Sequence, residues 1–438
     1  MNAQTRSFEA FITIFLFVFL FSFAGCEDDG ANAIGLAGID TGELAGNIRT
    51  DTLSVDDIVR DTSFMDSTGT SSSDRLYLGS IDNYDFSIAM RFTMPAEIES
   101  VIVTSAKLQF ITSASYGPAG TFTANVRAIK KVWTTDDLKW NRLTGAGDHG
   151  DIIAQATITN TPTSGTFITI NLPKDTVQNW VWAINDTNRS KINNGIIIEF
   201  SGANFVQQFY GASVLTALGN LDTNVVPRLD IVYTKFDPVK LEVTQGHLPV
   251  VPINLPSGIY NQGFSGYIFQ DRAPQPPNTL TVGGGLPYHS LIQFSTAKIP
   301  TNATINLATL VMKLDPVYNY QFSTGDSLLL QALRVQSSDW VSGTLVPQRI
   351  DVLYIDPLSR FRNRLTDNLD DDSLKFNITR QMQDWVTFPS QNYGLQISHG
   401  DEVRGNFRKL YRARFINNPL DREHSPKIII YYTLPPEN

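Results

Sequence analysis

The strongest constraint on the fold is that the second half of the chain repeats the landmarks of the first half. Trp340 follows Trp133 by 207 positions, and Tyr432 follows Tyr233 by 199. Such self-similarity is the signature of repeated structural units. We predict two homologous domains, at 48–236 and 237–438. Other landmarks keep the same order within that range of offsets: Leu76–Gly79 with Leu280–Gly283, Phe92 with Phe294, Ala106–Leu108 with Ala308–Leu310, Gly195 with Gly394, and Pro227 with Pro426.

Local patterns in both halves are those of β-strands. Apolar and polar residues alternate at 106–110, 168–172 and 374–378. This period of two is typical of a strand with one face on a core and one face in water. The uninterrupted isoleucine runs at 196–198 and 428–430 predict strands that are buried on both faces.

These short strands, separated by turns, predict an all-β fold of two tandem β-sandwich or jelly-roll domains. Helical spacing is confined to two matching triplets, at positions 177, 180 and 181 and at 382, 385 and 386. We expect each triplet to form one or two helical turns with its tryptophan facing a core. Each half has enough residues for a core, so a fragment beginning near residue 239 is expected to fold alone.

The amino terminus has the pattern of a lipoprotein export signal. An apolar run at 11–21 is too short for a membrane-spanning helix, which needs about 20 residues. It leads through Ala24 and Gly25 into Cys26, the single cysteine. This resembles the lipobox of bacterial lipoproteins, which implies a signal peptide at 1–25 and an acylated Cys26. A plain secretory signal with an incidental cysteine is the alternative.

The residues after Cys26 are acidic and small, and we interpret 26–47 as a flexible tether. Carboxylates beside an acylated residue stay hydrated and keep the chain away from anionic headgroups. The acids at 27–29 resemble the export signal of surface lipoproteins of the Bacteroidetes type, which implies the outer face of the outer membrane. A merely soluble tether is the alternative.

The net charge of −9 belongs to the leader rather than to the body. Residues 27–74 contain eleven acidic residues against Arg49 and Arg60, which already gives −9. The remaining body is therefore balanced. Nucleic-acid binding requires a basic face, so we expect no nucleic-acid partner.

Several motifs recur in a fixed order along the body of the chain. In the first half they are Ala106–Leu108, Trp133 to Asn141, Phe167 to Val181, Asn193–Phe200 and Pro227–Tyr233. The second half keeps Ala308–Leu310, Trp385, Asn392–Leu395 and Pro426–Tyr432, and it lacks a counterpart of Trp140. This order resembles the DNRLRE-type β-sandwich domain, whose motifs are packing positions and inform the fold more than the activity. Some members are carbohydrate-binding modules, including binders of acidic algal polysaccharides, so the resemblance implies a glycan ligand.

No residue pattern for catalysis or cofactor binding stands out. The five histidines are never within one helical turn of each other, and Cys26 is assigned to the lipid. We interpret the acids at 136–137 and 370–372 as solvated loop residues, with an acid–base pair or a structural calcium ion as alternatives. We therefore predict a protein that is not an enzyme and has no cofactor or metal.

The candidate binding residues are arginines on alternating strand positions. Guanidinium groups bind carboxylates and sulfates in a bidentate manner, so two arginine ladders facing solvent would fit an anionic glycan. A solvated strand face, neutralised by nearby aspartates, is the alternative. Two tryptophans that occur in one half only are expected to be exposed and to stack on sugar rings. The candidates are Arg360, Arg362, Arg364, Arg408, Arg412, Arg414, Trp140 and Trp182.

The interior side of the second ladder is predicted to be aromatic, with Tyr411 and Phe415 facing the core. Aligning 205–209 with 407–411 suggests that the charge was added in the second half only. Together these features predict a non-catalytic surface lipoprotein that binds an acidic polysaccharide, probed best by a glycan array. A structural or assembly lipoprotein with a surface-protein partner is the second hypothesis, and a polysaccharide hydrolase or lyase is the third.

Overall fold

The computed structural model describes most of the body of the chain. Its secondary structure consists of antiparallel strands with few helices. The described residues are 48–65, 70, 73–98, 100–184, 192–214, 222, 224–237, 242–252, 263–272, 276–286, 288–315, 320–321, 327–336, 352–353, 360–364, 373–399 and 410–435.

The first eleven strands lie between residues 48 and 237. They are β1 (Ile48–Leu53), β2 (Ile58–Met65), β3 (Arg75–Ile81), β4 (Tyr84–Arg91), β5 (Ile102–Tyr116), β6 (Thr121–Ile129), β7 (His149–Thr159), β8 (Phe167–Leu172), β9 (Ile196–Ser201), β10 (Val206–Tyr210) and β11 (Arg228–Asp237). Helices α1 (Trp140–Leu143) and α2 (Lys174–Trp182) lie among them.

The later strands are β12 (Glu242–Val250), β13 (Phe264–Asp271), β14 (Thr279–Gly284), β15 (Tyr288–Phe294), β16 (Thr304–Lys313), β17 (Tyr320–Gln321), β18 (Ser327–Val335), β19 (Val352–Leu353), β20 (Arg360–Arg364), β21 (Ser373–Asn377), β22 (Leu395–His399), β23 (Tyr411–Ile416) and β24 (Lys427–Thr433). Helix α3 (Thr379–Thr387) follows β21.

The all-β prediction is confirmed, and the strands form sandwiches. One sheet of eleven strands contains two layers: β12–β11–β5–β8 and β13–β4–β9–β6–β7, joined through β3 and β10. Inward residues of both layers, such as Leu108 and Ile231 on one side and Ile88 and Val126 on the other, meet in a single apolar cluster. We call this cluster the first core.

A second apolar cluster, the second core, lies between the remaining sheets. The four-stranded sheet β1–β24–β16–β21 contributes Leu310 and Ile430, and the sheet containing β15, β18 and β22 contributes Ile292, Ala332 and Ile397. The inward residues of β14 and β23 also belong to it. In the alternating segments 106–110, 168–172 and 374–378, the apolar side of each strand faces a core, as the sequence predicted.

Both helical triplets lie as predicted. Val177, Trp180 and Val181 are buried in the first core on α2, and Trp385 is buried in the second core on α3. Each helix is nine residues long, which exceeds the predicted two turns. Trp133 is also buried, in a smaller cluster outside the first core.

The isoleucine runs behave differently from each other. Ile196, Ile197 and Ile198 are all buried because a loop covers the outer side of β9. In the second run Ile428 and Ile430 are buried, but Ile429 is only half-buried. The prediction of burial on both faces is therefore wrong for β24, whose outer face is not fully covered.

Strand pairing crosses the predicted boundary between residues 236 and 237. The two strands that follow the boundary, β12 and β13, pair with β11 and β4 of the preceding half. The two strands at the start of the body, β1 and β2, pair with β24 and β15 of the following half. The division into two domains stays a prediction, and the sheets do not divide at that point. The signal peptide and tether at 1–47 lie outside the described residues.

Candidate functional site

The outer side of β9, β6 and β7 carries a continuous set of polar side chains. Phe122, Ala124 and Val126 of β6 belong to the first core, so the residues alternating with them point outward. The neighbouring strands extend this pattern through the register of the sheet. We call the set the polar face: Thr121, Thr123, Asn125, Arg127, Gln155, Thr157, Thr159, Glu199 and Ser201.

The centre of the polar face is a row of hydrogen-bonded amides and hydroxyls. Asn125 lies opposite Gln155 on one side and Glu199 on the other. Gln155 Nε2 donates to Asn125 Oδ1 at 2.7 Å, and Asn125 Nδ2 donates to Ser201 Oγ at 3.3 Å. Asn125 is buried beneath its neighbours, whereas Gln155 and Ser201 are exposed. The row therefore holds its exposed members in fixed positions and leaves them accessible to a ligand.

One end of the polar face is charged and internally neutralised. Arg127 Nε donates to Glu199 Oε2 at 2.8 Å, and Arg127 Nη1 donates to the Gly150 carbonyl at 3.1 Å. His149 Nε2 lies 3.6 Å from Glu199 Oε1. The guanidinium and carboxylate offset each other, so this end presents directional hydrogen-bonding groups with little net charge.

Trp140 lies beside this charged end. It packs, half-buried, against a small apolar cluster that includes Ile129, Trp133 and Ile197. Ile197 is the cross-strand partner of Arg127. Trp140 is half-buried rather than exposed, because the loop between β6 and β7 folds it onto the sheet, and its stacking on a sugar ring stays a prediction.

Trp182 lies elsewhere, at the end of α2. Its side chain is 45% exposed, which agrees with the expected exposure. Helix α2 packs on β5 through its other face, so Trp182 belongs to a different part of the surface from Trp140.

The described counterparts of the polar face in the second half are buried. The pairs Val126–Ile198 and Ala332–Ile397 occupy matching positions in their sheets, which aligns Asn125 with Gln331. Gln331 is fully buried and donates to the carbonyl of His399 at 3.2 Å. Leu333 and Ser398, which match Arg127 and Glu199, are also buried, so the described part of the second surface is less accessible than the polar face.

The predicted exposure of Arg412 and Arg414 is wrong. They are only 7% and 3% exposed. The aromatic side of β23 lies in the second core as predicted. The opposite side is covered by the first half, where Arg412 Nη1 donates to the Tyr84 hydroxyl and the guanidinium lies over the Tyr84 ring.

These arginines therefore join the two halves and are not a ligand surface. Burial and the neighbouring Arg412 charge lower the pKa of Arg414. Burial raises the pKa of Tyr84 to about 12, although the Arg412 charge acts in the opposite direction. Tyr84 is consequently a neutral phenol at physiological pH, able to accept the guanidinium hydrogen bond.

The sequence alignment of this strand was also wrong. Val206 pairs with Gly79, and Arg412 pairs with Gly283, which is the counterpart of Gly79. Arg412 therefore matches Val206, four positions away from the alignment made from sequence. Because Val206 is also fully buried, this site is interior in both halves.

Other candidates fall partly or wholly outside the described residues. Cys26, Arg408 and the acids at 370–372 lie outside them. The backbone of β20 pairs with β18, and the side chains of Arg360, Arg362 and Arg364 lie outside the description.

The acids at 136–137 have a local structural role at Asp137. Its Oδ2 accepts from the Thr134 backbone N–H at 2.9 Å and from the Thr134 hydroxyl at 3.2 Å, which caps a short 3₁₀ turn. Across the described ranges, no group of three or more potential metal ligands comes together. Within those same residues, no helix is long and apolar enough to cross a membrane.

No protein-family model matches the chain, and no curated protein is similar to it in sequence.

Proposed function

We propose that this protein is a non-catalytic, lipid-anchored surface protein that binds a polysaccharide through the polar face. The observation that carries the proposal is the accessible array of amide, hydroxyl and paired charged side chains on β9, β6 and β7. Acylation at Cys26, location on the outer membrane and kinship with the DNRLRE-type domain are parts of the same proposal, and they rest on the sequence.

The chemistry of the polar face matches that of sugar rings. Each ring offers several hydroxyl groups that both donate and accept, and an amide supplies one acceptor and two donors. Four alternating positions along β6 extend over about 20 Å, at about 3.4 Å per residue. A linear polysaccharide lying along the strands would therefore meet several rows of partners at once.

The charge balance favours a neutral polysaccharide. Arg127 is already engaged by Glu199, so an acidic glycan would have to compete with that carboxylate. This changes the sequence-based hypothesis, which relied on two arginine ladders, because Arg412 and Arg414 of the second ladder are buried. An acidic ligand would need basic residues other than these two.

The proposal is tested by affinity electrophoresis in gels that contain neutral or acidic polysaccharides. At least one neutral polysaccharide should retard the purified body. Replacing two of the exposed residues together, Gln155→Ala with Thr157→Ala, should weaken retention by roughly tenfold, because each lost hydrogen bond is worth about 0.5–1.5 kcal/mol.

The matched control is Lys107→Ala with Thr169→Ala, on the outer face of the opposite sheet layer. This variant should bind as the wild type does. Thermal unfolding of both variants checks that the fold is intact. Absence of binding across the panel, or equal binding by the polar-face variant, would overturn the proposal.

A protein partner is favoured by a second observation. Phe236 of β11 lies opposite Val243 of β12. On the other side of β11, Ile102 of β5 lies opposite Thr234 and is therefore the diagonal neighbour of Phe236. All three side chains are more than half exposed, and the counterpart of Ile102 in the second half is Thr304. Exposed apolar groups of this kind mark protein contacts. Crosslinking on intact cells should then capture one stoichiometric partner, and Phe236→Ser should abolish it.

A further inference from the structure

We infer that the two halves are copies of one repeat that have exchanged their leading strand pairs, and that this exchange makes them one cooperative unit. The inference concerns β1 and β2, which lead the first half, and β12 and β13, which lead the second. Each pair completes the sheets of the other half.

The outer pairing is the same in both halves. Leu53 of β1 lies opposite Ile428 of β24, and Val250 of β12 lies opposite Leu229 of β11. The donated residues are 197 positions apart and the accepting residues 199. These offsets hold along the pair, since Ile48–Thr433 corresponds to Gln245–Thr234. Because both offsets are constant along the pair and differ by only two residues, β1 and β12 hold equivalent places.

The inner pairing is also the same. Met65 of β2 lies opposite Tyr288 of β15, and Asp271 of β13 lies opposite Tyr84 of β4. The donated residues are 206 positions apart and the accepting residues 204. Because both strands of each pair obey the correspondence, the exchanged unit is the whole pair and not a single edge strand.

Each donated pair supplies part of the recipient's core. Leu53 is fully buried in the second core, and Ile58 packs against it. Val250 is buried in the first core, and Leu248 packs against that. Without its donated pair, a half would expose apolar surface and two sheet edges, which is unfavourable for both solubility and stability.

Polar contacts fix the first pair to the second half. Lys298 Nζ lies 2.7 Å from Asp57 Oδ2, on the turn between β1 and β2. Asn417 Nδ2 donates to Asp61 Oδ2 at 2.7 Å. Correspondingly, Arg272 of the second half, which follows β13, lies 3.1 Å from Asp85 of the first half. Each of these contacts joins a donated strand pair to the other half, so it forms only in the exchanged arrangement.

The halves are further joined where the inner pairs meet. The Tyr288 hydroxyl donates to Asp271 Oδ2 at 2.9 Å, so β15 of the second half holds β13, the strand that is donated to the first half. An apolar cluster at this place combines residues of the first half, such as Tyr77 and Phe86, with Tyr288 and Leu410 of the second. The exchanged strands therefore continue into a packed junction, which couples the unfolding of one half to that of the other.

The inference is tested by crosslinking the full chain, with Cys26→Ser removing the native thiol. Thr52 and Ile429 are direct cross-strand partners on the outer side of β1 and β24. Cross-strand partners lie within the Cα separation that a disulfide requires. The control pairs Thr52→Cys with Asp230→Cys, since Asp230 is the counterpart of Ile429.

We expect Thr52→Cys with Ile429→Cys to form the disulfide nearly completely, and the control pair to remain reduced. Oxidation of the first variant should raise the midpoint of a single thermal transition by several degrees. A disulfide in the control pair, no disulfide in either variant, or two separate thermal transitions would each overturn the inference.

Discussion

Leu53→Ala is the substitution that most sharply separates an exchanged strand pair from a loosely attached terminus. Leu53 lies only six residues into the described body, where a frayed end would be expected. It is nevertheless fully buried in the second core. The substitution removes three carbon groups, at about 0.8 kcal/mol each, and it leaves a cavity. The expected loss of unfolding free energy is therefore about 2–5 kcal/mol, in the range measured for buried leucines.

The assay is equilibrium urea unfolding, followed by tryptophan fluorescence and by far-UV circular dichroism. Both probes should report one transition, and both should move by the same amount. Thr50→Ala, on the outer side of the same strand, is the matched control and should change the free energy by less than about 0.5 kcal/mol. A Leu53→Ala change as small as that of the control would refute the reasoning, and so would two transitions that separate the probes.

Three further outcomes are expected. Gly195 has φ of +74°, and a methyl group there would overlap the Met90 carbonyl oxygen. Gly195→Ala should therefore lower the free energy of unfolding, measured in urea, by more than about 1 kcal/mol. An unchanged urea midpoint would contradict this. Burial raises the pKa of Asp61, partly opposed by the Asn417 hydrogen bond, so the folded state holds this proton more tightly and loses stability as the pH rises above about 3.9. Asp61→Asn should match the wild type near pH 3.5 and exceed it at pH 7 in urea titrations, whereas a pH-independent difference would argue against the burial effect. The fragment 239–438 lacks β1 and β2, the strands that the first half donates to it, and should aggregate when purified, contrary to the expectation from sequence. A monomeric fragment with cooperative unfolding would show that the exchange is dispensable.

The sequence predicted strand faces better than strand partners. Alternation placed Leu108 and Phe376 on the interior side of their strands, and both are buried. Alternation is a local property, and it carries no information about which distant strand completes a sheet. For this reason the sequence does not predict the exchange of β1 and β2, although the repeat offsets relate β4 to β15 and β11 to β24, the strands that accept the donated pairs.

The arginine prediction failed for a related reason. Period two correctly assigned Phe415 to the core and Arg414 to the opposite side. Whether that opposite side meets water depends on tertiary packing, and here Tyr84 of the other half covers it. Burying a guanidinium is costly unless it is paired, which makes exposure the natural expectation from sequence.

The polar face has a signal in the sequence, because Thr121, Thr123, Asn125 and Arg127 alternate with apolar residues in β6. That signal is weak, since alternating hydroxyls and amides occur on any solvated strand face, whereas clustered charge and tryptophans point more directly to a ligand. The continuity of the polar face also depends on β9 and β7, which are joined to β6 only through the register of the folded sheet.

The central functional claim is that ligand contacts lie on β9, β6 and β7 of the first half. Hydroxyl-radical footprinting of the full chain, with and without a polysaccharide that retards it, measures this directly. We predict reduced labelling of peptides covering 121–127 and 149–159, with no change on the outer face of β12, β11 and β8. Protection confined to that opposite face, or to the second half, would contradict the account.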